Sequence, residues 1–172
     1  MRGPLSLLIL FPYTDLMIDV KDIQSALEEY LSGRDDLYIV AVDVRAGNMI
    51  SITIDSDHDS ISLDTITALS HYIEERFDRD VEDYELTVTS AGLTSPLRLP
   101  RQYRKYIGEP IIVTLRSGGI EKGTLVAVDE EGFEMEVIRM EKHEGDKRRK
   151  GYPTPLHLTY DEVKTVVYDL KF

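Results

Sequence analysis

Three acids at alternate positions, Asp55, Asp57 and Asp59, with Ser56 and His58 between them, form the densest run of metal-ligating side chains in the sequence. Alternating carboxylates could hold a hard cation. A calcium loop of the EF-hand type, however, needs glycine at its sixth position and glutamate at its twelfth, and here Ser60 and Ile66 stand there. The preferred reading is a solvated turn entering a helix. The rival is a metal-dependent hydrolase built on Asp55, Asp57 and His58, which cation-dependent thermal stabilisation would reveal.

Four histidines, His58, His71, His143 and His157, are scattered without H-E-x-x-H spacing, and there is no cysteine to complete a zinc site. Ser90 and Ser95 flank Gly92, but G-x-S-x-G is absent. G-x-G-x-x-G and the P-loop pattern are absent too, so no phosphate cradle is encoded in those forms. The expectation is a protein without catalytic residues, cofactor or bound metal.

Two basic runs carry more. Arg98, Arg101, Arg104 and Lys105 fall with Tyr103 and Tyr106 in a stretch from Pro96 to Gly108 that holds no acid. Cations interleaved with rings could neutralise phosphates and stack on bases. Equally, the two tyrosines are spaced to pack one turn against an interdomain seam, with the cations solvated. Both readings stay open. Lys147, Arg148, Arg149 and Lys150 form the second run, between Gly145 and Gly151, where polarity and glycines predict a mobile loop. Such a loop can meet RNA or an acidic surface, with Glu144 and Asp146 partly offsetting its charge.

These residues need elements to place them. Hydrophobic residues make up 42% and charged residues 30% of the 172, which suits a folded soluble chain and excludes a disordered one. The length allows one domain or two small ones. Without cysteine there is no disulfide framework, and a reducing cytosol suits the chain. Leu5 to Phe11 is apolar but too short to span a membrane, and it lacks a small-residue cleavage site. Residues 1–16 read as a non-core extension.

From Met17 to Ser95 there are 18 acids and 5 bases, a charge of −13, whereas Pro96 to Phe172 holds 13 acids and 14 bases, a charge of +1. The two halves are electrostatically different. Asp19 is a fitting N-cap for a helix to about Ser32, with Val20, Ile23, Leu27 and Leu31 at helical spacing and Gly33 as the stop. Tyr38, Val40, Val42 and Val44 alternate, Gly47 and Asn48 turn, and Ile50, Ile52 and Ile54 alternate again, which predicts a hairpin. Ser62 caps a second helix whose stripe is Ile66, Leu69, Ile73 and Phe77, ending near Arg79. Tyr84, Leu86 and Val88 give a third strand. The order αββαβ predicts a two-layer, KH-like domain over 17–92, with both helices on one face of a three-stranded sheet.

Gly92, Pro96 and Pro100 exclude regular structure and limit flexibility over a linker at 93–100. Residues 101–172 then read as strands: Ile111 to Leu115, Ile120 to Val128, a strand opening at Phe133, Leu156 to Leu158, a helical turn at Tyr160 to Val163, and Thr165 to Leu170. About five short strands must bury a face and protect their edges, and a small SH3-like or Sm-like β-barrel does both. The fold class is therefore α+β.

The string from Tyr84 to Arg98, YELTVTSAGLTSPLR, followed by QYRKYIG from Gln102 to Gly108, resembles the segment that marks the RimP family of bacterial ribosome maturation factors. Gly123 to Asp129 with Gly132 resembles that family's barrel hairpin, and Leu158 to Lys164, LTYDEVK, its closing element. The resemblance runs from about Met17 to Leu170. Ala91 departs from the family's frequent proline, Thr94-Ser95 from its usual Asp-Arg, and the insert from Glu141 to Pro155 is longer than in many members.

The resemblance implies a non-catalytic, cytoplasmic factor that binds the immature small ribosomal subunit and promotes its late maturation. Implied partners are the subunit's RNA and the basic ribosomal protein S-twelve, the latter contacted by the barrel, with no membrane and a monomeric state. The residues expected to meet them are Ser90, Gly92, Pro96, Arg98, Arg101, Arg104, Lys105, Lys147, Arg148, Arg149 and Lys150. The alternative is an Sm-like RNA-binding oligomer built from the barrel, which a size measurement in solution separates from a monomer.

Overall fold

The computed structural model describes residues 18–58, 60–145 and 147–170; the extension at 1–16, Asp59 and Asp146 lie outside them. Helix α1 (Val20–Leu31) starts where Asp19 accepts the amide of Lys21 at 2.9 Å, satisfying one orphan N–H of the first turn. Ile23, Ala26 and Leu27 form its buried stripe; Val20 stays half-buried. Helix α2 (Leu63–Arg76) is capped by Ser62, whose Oγ accepts Thr65 N–H at 3.1 Å, and it buries Leu69 and Ile73.

Strands β1 (Leu37–Arg45) and β2 (Met49–Ser56) pair antiparallel through a turn in which Gly47 and Asn48 both have positive φ, 78° and 50°. That left-handed pair is what the Gly-Asn dipeptide supplies. The expected alternation in β1 breaks at a bulge between Ile39 and Ala41. Ile39, Val42 and Val44 consequently pack on the core, and Val40 is the extra residue. Strand β3 (Glu85–Ser90) lies beside β2 in parallel, the crossover being α2, so the sheet order is β1-β2-β3. Ile50, Ile52 and Ile54 of β2 are almost fully buried between the helices and the sheet.

A short helix, α3 (Pro100–Lys105), follows the linker. Beyond it come β4 (Pro110–Leu115), β5 (Ile120–Val128), β6 (Gly132–Glu141), β7 (Lys150–Thr159) and β8 (Val163–Tyr168), in the sheet order β7-β6-β5-β4-β8. The ladder is open: among the described residues no pairing joins β7 to β8, so the strands do not close into the expected barrel by hydrogen bonds. Their inner face carries a second core of Ile111, Val113, Leu125, Phe133, Met135 and Val166. The expected helical turn at Tyr160 to Val163 is a tight turn only, fixed by Glu162, which accepts the amide and hydroxyl of Thr159 at 2.9 Å each.

β7 begins at Lys150, well before Leu156, and pairs with β6 through Gly151, Pro153 and Pro155. The ladder runs through both prolines, so their nitrogens face the open edge, where no partner is due a hydrogen bond. Of the loop expected between Gly145 and Gly151, only Lys150 and Gly151 are strand, and 142–149 connect β6 to β7.

Candidate functional site

The basic helix α3 has no side-chain cap at Leu99, although Pro100 suits the first turn. Gln102, 1% exposed, does the capping from inside the helix: its Oε1 accepts the amides of Arg98 at 2.9 Å and Leu99 at 3.2 Å. Its Nε2 then donates to Asp55 Oδ2 at 3.0 Å. One amide side chain thereby starts the helix and docks it on the end of β2.

Lys105 joins the same socket, donating from Nζ to Asp55 Oδ1 and to the Ser56 carbonyl, each at 3.0 Å. Arg101 grips Asp57 with two donors, Nε at 2.6 Å and a terminal nitrogen, the fork geometry that makes Arg–carboxylate pairs strong. The same guanidinium donates to the Asp35 carbonyl and lies 4.3 Å from the centre of the Tyr38 ring. Its hydrogen bonds hold the Asp57 carboxyl below the usual carboxylate range and raise Arg101 in turn. Burial, and then the negative field of Asp55 and Asp57, hold the Tyr38 hydroxyl protonated well beyond the ordinary tyrosine range.

Two expectations change here. The acidic stretch at Asp55 to Asp59 is no solvated turn, because Asp55 is 6% exposed and, with Asp57, forms the socket for α3; Asp59 lies outside the described residues. Among the described residues no group of three or more acids and histidines is placed to hold a metal. The rings of the basic run are also engaged. Tyr103 is buried against Phe133 and Tyr160, ring centres 5.2 and 5.3 Å away, and Tyr106 stacks on Tyr168 at 5.3 Å. Neither ring lies free for a base, which favours the packing reading for the tyrosines, while Arg101 and Lys105 are half-buried and paired with acids.

The remaining candidates lie apart. Arg104 pairs with Glu130 at 2.8 Å on the surface. Ser90 ends β3 opposite Ile54. Gly92 begins a closed turn in which its amide donates to Ser95 Oγ at 3.1 Å and its carbonyl accepts Ser95 N–H at 2.9 Å. Pro96 and Arg98 are exposed beside the first residues of β8, to which the linker is tied by Leu97 N–H on the Val166 carbonyl at 2.8 Å. Lys147, Arg148, Arg149 and Lys150 are exposed at the tip of the β6–β7 hairpin.

The socket escaped the sequence because Asp55 and Gln102 are 47 residues apart and Asp57 and Arg101 are 44 apart. One signal existed: Arg101 and Lys105 stand at i and i+4 and Gln102 adjoins them, so the three share a helical face.

A family model described as the RimP N-terminal domain matches residues 27–94. The ribosome maturation factor RimP of Porphyromonas gingivalis strain W83 is 40% identical over 151 residues, covering 88% of this chain and 98% of that protein. The chain belongs to the RimP family. The RimP proteins of Christiangramia forsetii and Flavobacterium psychrophilum are 33% and 30% identical, over 61% and 78% of this chain and 68% and 84% of theirs. The segment that the RimP N-terminal model matches ends inside the Gly92–Ser95 turn, and α3 follows a few residues on. In this member of the RimP family, Ser95 serves the turn itself by accepting the Gly92 amide.

Proposed function

We infer that the chain is a non-catalytic, cytoplasmic maturation factor that binds the immature small ribosomal subunit and releases the mature one. Membership of the RimP family, whose relatives are named ribosome maturation factors, is the observation that carries this reading. A factor with higher affinity for immature subunits shifts the assembly ensemble toward completion without making or breaking a bond. Charge supports the reading: the −13 half, 17–95, suits a basic ribosomal protein, and the hairpin tip at Lys147 to Lys150 suits RNA phosphate.

The domain plan, 17–92, linker 93–100 and 101–172, is supported by two separate buried cores and by the closed turn between them. An SH3-like form for the second domain is favoured by its strand order, in which the last strand pairs beside the first. A monomer is favoured over an Sm-like ring because Pro153 and Pro155 remove two donors from the open edge of β7. No helix among the described residues is long and apolar enough to cross a membrane.

Co-sedimentation of the purified chain with immature and with mature small subunits, at low and high salt, tests the reading. Preferential, salt-weakened pelleting with immature subunits is expected. Equal pelleting with both would refute it.

A further inference from the structure

Between the linker and β8 lies a recess of about 510 Å³ whose walls include Pro96, Arg98, Pro100, Tyr160, Lys164 and Thr165. Its lining holds two cations and no acid, in a chain of net charge −12. Neither Arg98 nor Lys164 has an ion pair among the described residues, whereas Arg101, Arg104 and Lys105 nearby are all paired. The two positive charges are therefore uncompensated and share one recess.

The recess is also built. Arg98 is held by its amide on Gln102 Oε1, and the linker wall is joined to β8 by Leu97 N–H on the Val166 carbonyl. Lys164 is the extra residue at the irregularity where Thr114 faces Thr165 but Leu115 faces Val163, and such bulges re-aim a side chain. The Tyr160 ring is fixed at both ends, by its hydroxyl on the Asp129 carbonyl at 3.0 Å and by edge contact with Tyr103. Of the acids near it, Glu162 accepts from Thr159 and Glu130 pairs with Arg104, while Asp161 and Glu131 are not part of its lining.

We propose that this recess binds a single-stranded segment of RNA, its phosphates on Arg98 and Lys164 and its sugar or base faces against Pro96, Pro100 and Tyr160. The inference rests on the ribosomal reading above and names a contact for it. A basic ribosomal protein would be repelled by two uncompensated cations, whereas an RNA strand offers both the negative charge and the flat apolar faces that the recess complements.

The test is fluorescence anisotropy of the full chain with a labelled oligouridylate of roughly 12 nucleotides across a salt series. Each single-strand phosphate contact contributes about 0.7 to the salt slope, so the double variant Arg98→Gln/Lys164→Gln should flatten it by about 1.4. The charge-matched double variant Arg45→Gln/Lys122→Gln should keep the wild-type slope. An unchanged slope in the first variant, or no binding of the oligouridylate by the wild type, overturns the proposal. A polyglutamate peptide bound in place of RNA, with the same dependence on Arg98 and Lys164, overturns it in favour of an acidic peptide. Pelleting of the wild type with immature subunits reads the ribosomal assignment separately, so either can fail alone.

Discussion

Replacing Gln102 by glutamate exchanges one buried NH₂ group for an oxygen and should turn the seam between α3 and β2 into a proton-dependent joint. The backbone amides of Arg98 and Leu99 keep an acceptor, so α3 keeps its start. The other atom, however, stands 3.0 Å from Asp55 Oδ2 and would now bear negative charge. At an effective dielectric of about 20 two such charges repel by about 5 kcal/mol. Lys105, on the far oxygen of Asp55, offsets part of this, leaving a net loss of about 3 kcal/mol at pH 7.

Protonating the introduced carboxyl restores an O–H donor to Asp55, so the folded state of the variant binds that proton more tightly than the unfolded chain does. Its stability is therefore greatest below the ordinary carboxylate pKa of about 4.3 and is lost as pH rises through the raised folded value. Urea unfolding of Gln102→Glu and wild type at pH 7 and pH 5 measures this; the gap in midpoint should narrow at pH 5. Gln102→Leu serves as the control, losing about 1 to 3 kcal/mol at both pH values because the Arg98 and Leu99 amides and the Oδ2 oxygen of Asp55 lose their Gln102 partner. A Gln102→Glu variant as stable as wild type at pH 7, or a gap independent of pH, would refute the reasoning.

Asp57, held low by Arg101, should contribute above the ordinary carboxylate pKa of about 3.9 and stop contributing as pH falls through its lower folded value. Asp57→Asn is accordingly expected to melt below wild type at pH 6, by about 1 kcal/mol for so exposed a pair, and to match it in strong acid; a gap that persists there contradicts the assignment. Gly123→Ala places a Cβ 2.2 Å from the Glu136 carbonyl on the paired strand, so β5 and β6 must part. A cost of about 2 to 3 kcal/mol follows, read as a melting temperature lower by roughly 5 to 10 °C, and an unchanged melting temperature would show that the ladder yields more easily than its geometry implies.

Elements set by local chemistry were legible from residues alone. Asp19 and Ser62 announced their helices, and Gly47-Asn48 announced a hairpin, because caps and turns depend on neighbours within a few positions. What depended on distant partners was not. Asp55 looks solvated until Gln102 and Lys105 are brought to it, and Tyr103 looks available to a base until Phe133 and Tyr160 enclose it. β7 was hidden for a third reason: Gly151, Pro153 and Pro155 read as breakers in a central strand, yet an edge strand accepts proline where its nitrogen points away from the partner. Of the candidate residues, Arg98 and Lys147 to Lys150 remain outward and Arg101 and Lys105 turn inward, a distinction that types and spacing do not encode.

Two successive imino acids along one border of a sheet also govern what happens at high concentration. A stray strand, whether a neighbour in a crowded solution or a partly unfolded sibling, needs an unbroken row of donors to zip alongside, and that row is interrupted at Pro153 and again at Pro155. Replacing both by threonine would complete the row, and the molecule should then gain a tendency to stick to its own kind without any change in its two cores.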